Sequence, residues 1–275
     1  MNRLPIEKRA QIIGLMVEGM SLRAITRIVG CSINTVSKLL EEVGFACNMY
    51  QSEHIRNVKS KRVQCDEIWA FCYSKEKNVS REDKGVLGHG DVWTWTAIDA
   101  DSKLIVSYQV GKRDAEYAQA FMQDVAGRLD NRVQLTTDGH APYLQAVGDA
   151  FGSEIDYAML VKHYGTGSMT EQRRYSPAQL IATELRPING TPDTKHISTS
   201  FVERQNLTMR MGMRRFTRLT NGFSKKVDNL EHAVSLHFMH YNFARIHKSL
   251  RVTPAMEAGL ADHVWTLEEI AGLAD

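Results

Sequence analysis

The sequence predicts an α/β protein: a catalytic domain built on a mixed five-stranded sheet with helices, preceded by a small all-α domain. Three observations carry this. Apolar residues recur at helical spacing from Ile12 to Leu40 and at strand spacing from Val63 onward. Three consecutive strand patterns are followed by a strand–helix–strand succession, which requires a parallel neighbour in the same sheet. The chain of 275 residues has room for one catalytic domain of ordinary size and one small accessory domain. The predicted division is residues 1–46, a basic linker at 47–62, a catalytic domain at 63–250 with an insertion at about 165–197, and a tail at 251–275.

The first module reads as three short helices. The first carries Ile12, Ile13, Leu15 and Met16 and closes at Gly19; the second starts after Ser21, carries Leu22, Ala24, Ile25 and Ile28, and stops at Gly30. The third starts after Ser32, with Ile33, Val36 and Leu40 on one buried stripe and Asn34, Thr35, Ser37, Lys38 and Glu41 facing outward. Those outward types suit base reading, and the tight turn Val29-Gly30-Cys31-Ser32 is that of a helix-turn-helix whose last helix enters a DNA major groove. A three-helix bundle that docks on protein is the alternative. From Cys47 to Arg62 the periodicity weakens, and His54, Arg56, Lys59, Lys61 and Arg62 face a single acid, Glu53. This segment reads as a linker that tracks phosphates or simply as a solvated connector.

Val63–Phe71, Val92–Ile98 and Leu104–Val110 form a three-strand meander. A helix at Asp114–Leu129, a strand at Val133–Thr137, a helix at Pro142–Phe151 and a strand at Tyr157–Tyr164 follow. The order βββαβαβ is that of the RNase H-like fold. In it the strands carrying Asp66 and Asp138 lie side by side, and a helix from about Thr199 to Met213 brings Glu203 across the sheet. Asp66 is preferred over Glu67, which points to the opposite face of a strand, and over Asp99, which sits in a turn where Asp serves local hydrogen bonding. Hard cations such as Mg²⁺ take oxygen ligands and keep several waters, so a few carboxylates plus a substrate phosphate suffice. Two such ions can activate an attacking oxygen and stabilise a leaving one, which makes a polynucleotide the expected substrate and Mg²⁺ or Mn²⁺, two per site, the expected cofactor.

After Glu203, residues 204–226 hold Arg204, Arg210, Arg214, Arg215, Arg218, Lys225 and Lys226 and no acid. Continued as one helix, Arg210 and Arg214 return to the face of Glu203 and would meet phosphates lying over the metals. An ordinary solvated basic helix is the alternative. The last helix, about Ser224–Ile246, carries Val227, Leu230, Val234, Phe238 and Tyr241 on a core stripe; His232, His237, His240 and His247 fall on different faces, against a histidine metal site. Residues 165–197, with Pro187, Gly190 and Pro192, read as a loop-rich insertion of unassigned role.

The net charge of +2 is too balanced to name a partner by itself. Cys31, Cys47, Cys65 and Cys72 contain no C-x-x-C pair, so neither a zinc ribbon nor a disulfide framework is expected. No apolar run approaches the ~18 residues of a membrane span, and the charged N-terminus is unlike a signal peptide. A cytoplasmic, reduced protein is expected.

The chain resembles the IS1-family insertion-sequence transposases, and more broadly DDE transposases and retroviral-type integrases. The resemblance rests on Cys65-Asp66-Glu67-Ile68-Trp69, on Thr137-Asp138-Gly139, on Phe201-Val202-Glu203-Arg204-Gln205-Asn206 with Arg210, and on Tyr241-Asn242 with Arg245, His247, Leu250, Thr253 and Pro254. It spans nearly the whole chain. It implies that Asp66, Asp138 and Glu203 are a metal-binding catalytic triad, that DNA strands are cut by water and the 3′-hydroxyl then attacks target DNA, and that the partners are element ends and target DNA. It also implies a dimer or larger complex, since two DNA ends are joined in concert, in a bacterial or archaeal cytoplasm at the nucleoid. Several members carry an N-terminal zinc element; the cysteine spacing here supplies none. A nuclease of the same fold, or a non-catalytic DNA-binding regulator, are the competing functions.

Overall fold

A computed structural model describes residues 3–165, 180–217 and 220–275. Its centre is a mixed sheet of six strands: β1 (Arg62–Cys72), β2 (Gly90–Asp99), β3 (Ile105–Gly111), β4 (Val133–Thr137), β5 (Ile155–Tyr164) and β6 (Leu180–Asn189), in the order β3-β2-β1-β4-β5-β6. The meander β1–β2–β3 is antiparallel, whereas β1 and β4 run parallel with Val63 opposite Leu135 and Gln64 opposite Thr136. That crossover is made by α4 (Ala115–Ala126), which Asp114 caps by accepting a hydrogen bond from the Tyr117 amide.

Alternation along β1 sends Cys65 and Glu67 to one face and Asp66, Ile68 and Ala70 to the other. On the first face α4 and α5 (Pro142–Phe151) bury Trp95, Phe121, Tyr143 and Tyr157 against the strands. On the second, α6 (Ser200–Gly212) and α7 (Val227–Met239) bury Ile68, Val92, Met209 and Phe238. The sheet is thus covered on both sides, as a sheet with parallel pairs must be.

The sixth strand falls in the segment expected to be loop. Pro187, Gly190 and Pro192 made it read as irregular, but an outermost strand tolerates proline because one side of its backbone has no partner to satisfy. Among the described residues β6 pairs only with β5, and nearly all its residues are exposed, so no alternating apolar pattern betrays it.

The three N-terminal helices are α1 (Ile6–Val17), α2 (Leu22–Val29) and α3 (Ile33–His54), with Ser21 and Ser32 accepting cap hydrogen bonds from Ala24 and Thr35 amides and Gly30 in the left-handed region. α3 runs well past the expected end, through the first half of the expected linker. Val43, Cys47 and Gln51 continue its buried face. Gln51 hides that periodicity: it is polar, yet its amide nitrogen lies 3.0–3.1 Å from the Cys47 and Ser235 carbonyls and the Tyr108 hydroxyl. The expected stripe is also corrected at its start, since Ile33 is 43% exposed while Leu39 is buried, and Ile28 of α2 is exposed as well.

One core joins these helices to the rest. Ile12, Ile25, Val36 and Leu40 cluster with Leu236, Met239 and Phe243 and with Ile270 of α9 (Leu267–Gly272). The tail is therefore part of the fold, held also by Arg9, whose guanidinium binds Asp275 at 2.7 Å and the Ala271 carbonyl at 3.1 Å. After α7 a π-helical turn at His240–Ala244 aims the buried Asn242 amide at β3, where it accepts from Ile105 N–H and donates to its carbonyl. Among the described residues no helix is long and apolar enough to cross a membrane.

α3 and α7 meet at Gly44, where an added Cβ would lie 2.6 Å from His232 Cα and 2.7 Å from its carbonyl oxygen. Gly44→Ala gains up to ~1 kcal/mol in helix propensity but forces two backbones apart, and overpacking typically costs about 1–3 kcal/mol. A lower urea midpoint at unchanged slope is expected; an equal or higher midpoint would show that the helices separate freely.

Candidate metal centre

Asp66 and Glu67 lie in the middle of β1, and Asp138 follows the last residue of β4. Because β4 ends at Thr137, the gap beyond it lets carboxylates from both faces of β1 converge. Asp66, Glu67 and Asp138 each offer an oxygen, all within 4.8 Å of one another. Among the described residues this is the one such cluster, and no histidine or cysteine joins it.

Glu67, expected to point away from Asp66, does start toward the α4–α5 side, yet its carboxylate comes within 4.8 Å of those of Asp66 and Asp138. Both its oxygens accept from protein groups: Oε2 from Arg113 Nε at 2.9 Å, Oε1 from the Tyr143 hydroxyl. Arg113 also donates from Nη2 to Asp138 Oδ2 at 3.2 Å, and the His140 amide donates to Asp138 Oδ1 at 2.9 Å. On the other face Asn206 of α6 donates to Asp66 Oδ2 at 2.8 Å. No sequence signal singled out Arg113 or Tyr143; a basic residue just ahead of the crossover helix is the nearest to one.

Glu203, in the first turn of α6, lines the same cleft, where Lys162 of β5 and the Thr199 hydroxyl both engage its Oε1. The cleft has a volume of ≈ 710 Å³ and is rimmed by Arg113, Lys162 and Arg210. The structure thus brings Asp66, Asp138 and Glu203 to one cleft, with Glu67 rather than Glu203 in the tightest group.

Burial first, then the charges of Glu67 and Asp138, pushes the Asp66 carboxyl up to about 7. Glu67 is pushed up to about 7 by burial and by Asp138, against the opposing pull of Tyr143 and Arg113. One guanidinium does not neutralise this cluster. Asn206 Oδ1 and His140 Nε2, both in residues that line the cleft, are buried without a hydrogen-bond partner among the described residues. Crowded carboxylate oxygens with orphaned polar atoms beside them fit a hard divalent cation of the Mg²⁺ or Mn²⁺ class and its waters.

The basic residues separate. Arg210 reaches the cleft, but Arg214 does not share its helical face: α6 ends at Gly212 and Met213 is extended, so the helical spacing from Glu203 stops short of Arg214. Arg214 and Arg215 line a different cavity, and Arg215 turns inward to donate to Ser224 Oγ at 2.6 Å. Arg204 is exposed, and Arg218 lies outside the described residues. At the start of α3, Asn34 and Lys38 are exposed, Thr35 and Ser37 half-buried. Lys38 sits 3.6 Å from Glu42, and Asn34, Thr35 and Lys38 line a shallow hollow with Arg3 and Arg9.

No family model matches the chain, and no curated protein matches it. Among solved structures it is similar to the Mos1 transposase paired-end complex with left transposon end, at 14% identity over 57% of this chain and 60% of that chain, with a TM-score of 0.25. It is similar to the piggyBac transposase synaptic complex with hairpin DNA at 10% identity over 98% of this chain and 69% of that chain, TM-score 0.45. A Mos1 mariner paired-end complex with Mn matches at 14% identity over 55% and 58%, TM-score 0.23. The chain spans about 60% of the length of the Mos1 chain it matches.

Mn²⁺ is expected to raise the thermal midpoint of the protein, since a ligand at 100 times its Kd stabilises by about 2.7 kcal/mol. Asp66→Asn and Asp138→Asn should lose that shift, while Glu203→Gln keeps part of it. A full shift in Asp138→Asn would remove this carboxylate from metal binding.

Proposed function

We propose that the chain is a DNA transposase of the DDE class, with an RNase H-like catalytic domain, that binds the ends of its own element and joins them to target DNA. The observation that carries this reading is the acidic cluster formed by the middle of β1 and the end of β4, faced by Glu203 and rimmed by cations in one cleft. The IS1-like motifs stand behind the finer assignment to that family of insertion sequences.

In this reading Asp66, Asp138 and Glu203 hold the metal, as the IS1-like motifs imply, and Glu67, whose oxygens accept from Arg113 and Tyr143, anchors that guanidinium beside them. Two divalent ions bound there would activate an attacking oxygen and offset charge on the attacked phosphate. Glu67 positions Arg113, which with the His140 amide fixes the orientation of Asp138. Asn206 does the same for Asp66. Arg113, Lys162 and Arg210 on the rim would meet the phosphates on either side of the cut. The helices α2 and α3 act as a helix-turn-helix, with Asn34, Thr35, Ser37 and Lys38 toward the major groove and Arg204 on the flank of the DNA path. Two copies or more assemble, one for each element end.

The test supplies precleaved element ends, target DNA and Mg²⁺ or Mn²⁺, and measures joined products. Joining is expected from the native protein. Asp138→Asn should lose at least a hundredfold in joining and cutting, in line with the several kcal/mol a metal supplies, and still bind DNA. Cutting without joining would assign a nuclease; binding without either would assign a regulator.

A further inference from the structure

A second cleft of ≈ 610 Å³ opens where the C-terminal end of α1 meets the C-terminal end of α6, walled by Met16, Met20, Leu22, Ile33 and Phe223. That volume is of the size that takes small organic ligands. The backbones touch at its edge: a Cβ on Gly19, in the left-handed region, would lie 2.7 Å from the Gly212 carbonyl oxygen. The cleft is basic. Arg23, Arg214, Arg215 and Lys225 line it, no acid does, and among the described residues none of the four forms a salt bridge. His237 lines it too, 5% exposed, with Nε2 lacking a hydrogen-bond partner. Burial, aided by His240 and Arg245, pushes this imidazole down to about 3, so it is neutral and offers one polar atom to an uncharged group.

Methionine and leucine walls, a neutral imidazole and the exposed Arg214 guanidinium match the three parts of a nucleotide: a flat base, its polar edge and its phosphate. From Glu203 to Gly212 the helix advances roughly 14 Å, about four steps of a stacked strand at ~3.4 Å each. We propose that this cleft binds one unpaired nucleotide of the DNA strand, a few nucleotides from the scissile phosphate, with the base against Met16, Met20 and Leu22 and the phosphate on Arg214, beside Arg215, which Ser224 holds, and Lys225, which lies over the Phe223 ring. This rests on the reading of the acidic cleft as a DNA-processing site, and Arg210 lies on the path between the two.

The probe is a fluorescein-labelled oligonucleotide of twelve thymidines, compared with an abasic oligonucleotide of equal length, and an iodouracil version for photocrosslinking. The native protein should bind the thymidine strand roughly tenfold more tightly than the abasic one, as stacking of a base predicts, and crosslink within residues 16–23 or at Phe223. Met20→Trp, which fills the cleft, should erase the preference. Arg214→Gln, at an exposed position, should weaken both strands alike and lower the salt slope by about one. Equal affinity for the two strands, or crosslinks only outside the cleft, overturns the proposal; if end joining persists, the transposase reading survives it. Failure to bind either strand, together with absent joining, removes both.

Discussion

Everything about the acidic cleft depends on the parallel pairing of β1 with β4. Gln64 opposite Thr136 sets the register in which Asp66 comes level with Asp138. A slip of one residue would turn Asp66 and Glu67 to each other's faces and bury the wrong acid. β4 is short, five residues, and wholly buried, so its own side chains lock that register from both sides. The crossover helix α4 completes the constraint, because Arg113, one residue before its cap, is the cation that ties Glu67 to Asp138.

Polar side chains do much of the joining between layers. Asn242 pairs with the backbone of β3 as a strand residue would, and Gln51 connects α3 to α7 and to Tyr108. Arg128, at the end of α4, donates to the Gln51 and Ile55 carbonyls and to Asp124. Each buried donor or acceptor of this kind is costly to leave unmade, so these contacts select one arrangement of helices over near alternatives.

This also explains what could be read from the residues alone. The meander, the α4 crossover, β4 and α6 follow patterns of apolar spacing and caps, and each was legible. Asp66 and Asp138 were legible as neighbours because a parallel crossover leaves little choice. Glu67 was not, since alternation in a strand says where a side chain starts, not that a long one can turn past the end of the next strand. β6 carries no one-sided apolar face, and α3 continues on a cysteine and a glutamine, so hydrophobic periodicity is silent for both. Arg214 leaves the face of Glu203 because α6 ends at Gly212 and Met213 is extended, a break that no residue propensity signals.

The unbroken course of α3 has a consequence for how the molecule can be taken apart. Its first turns carry the surface turned toward solvent near Asn34, while its last turns, through Cys47 and Gln51, are wedged beside α7. Cutting the chain near residue 46 would leave a stump of coil on one fragment and a bare oily flank on the other. The two halves share one helix, and its backbone comes closest to the body where Gly44 meets His232.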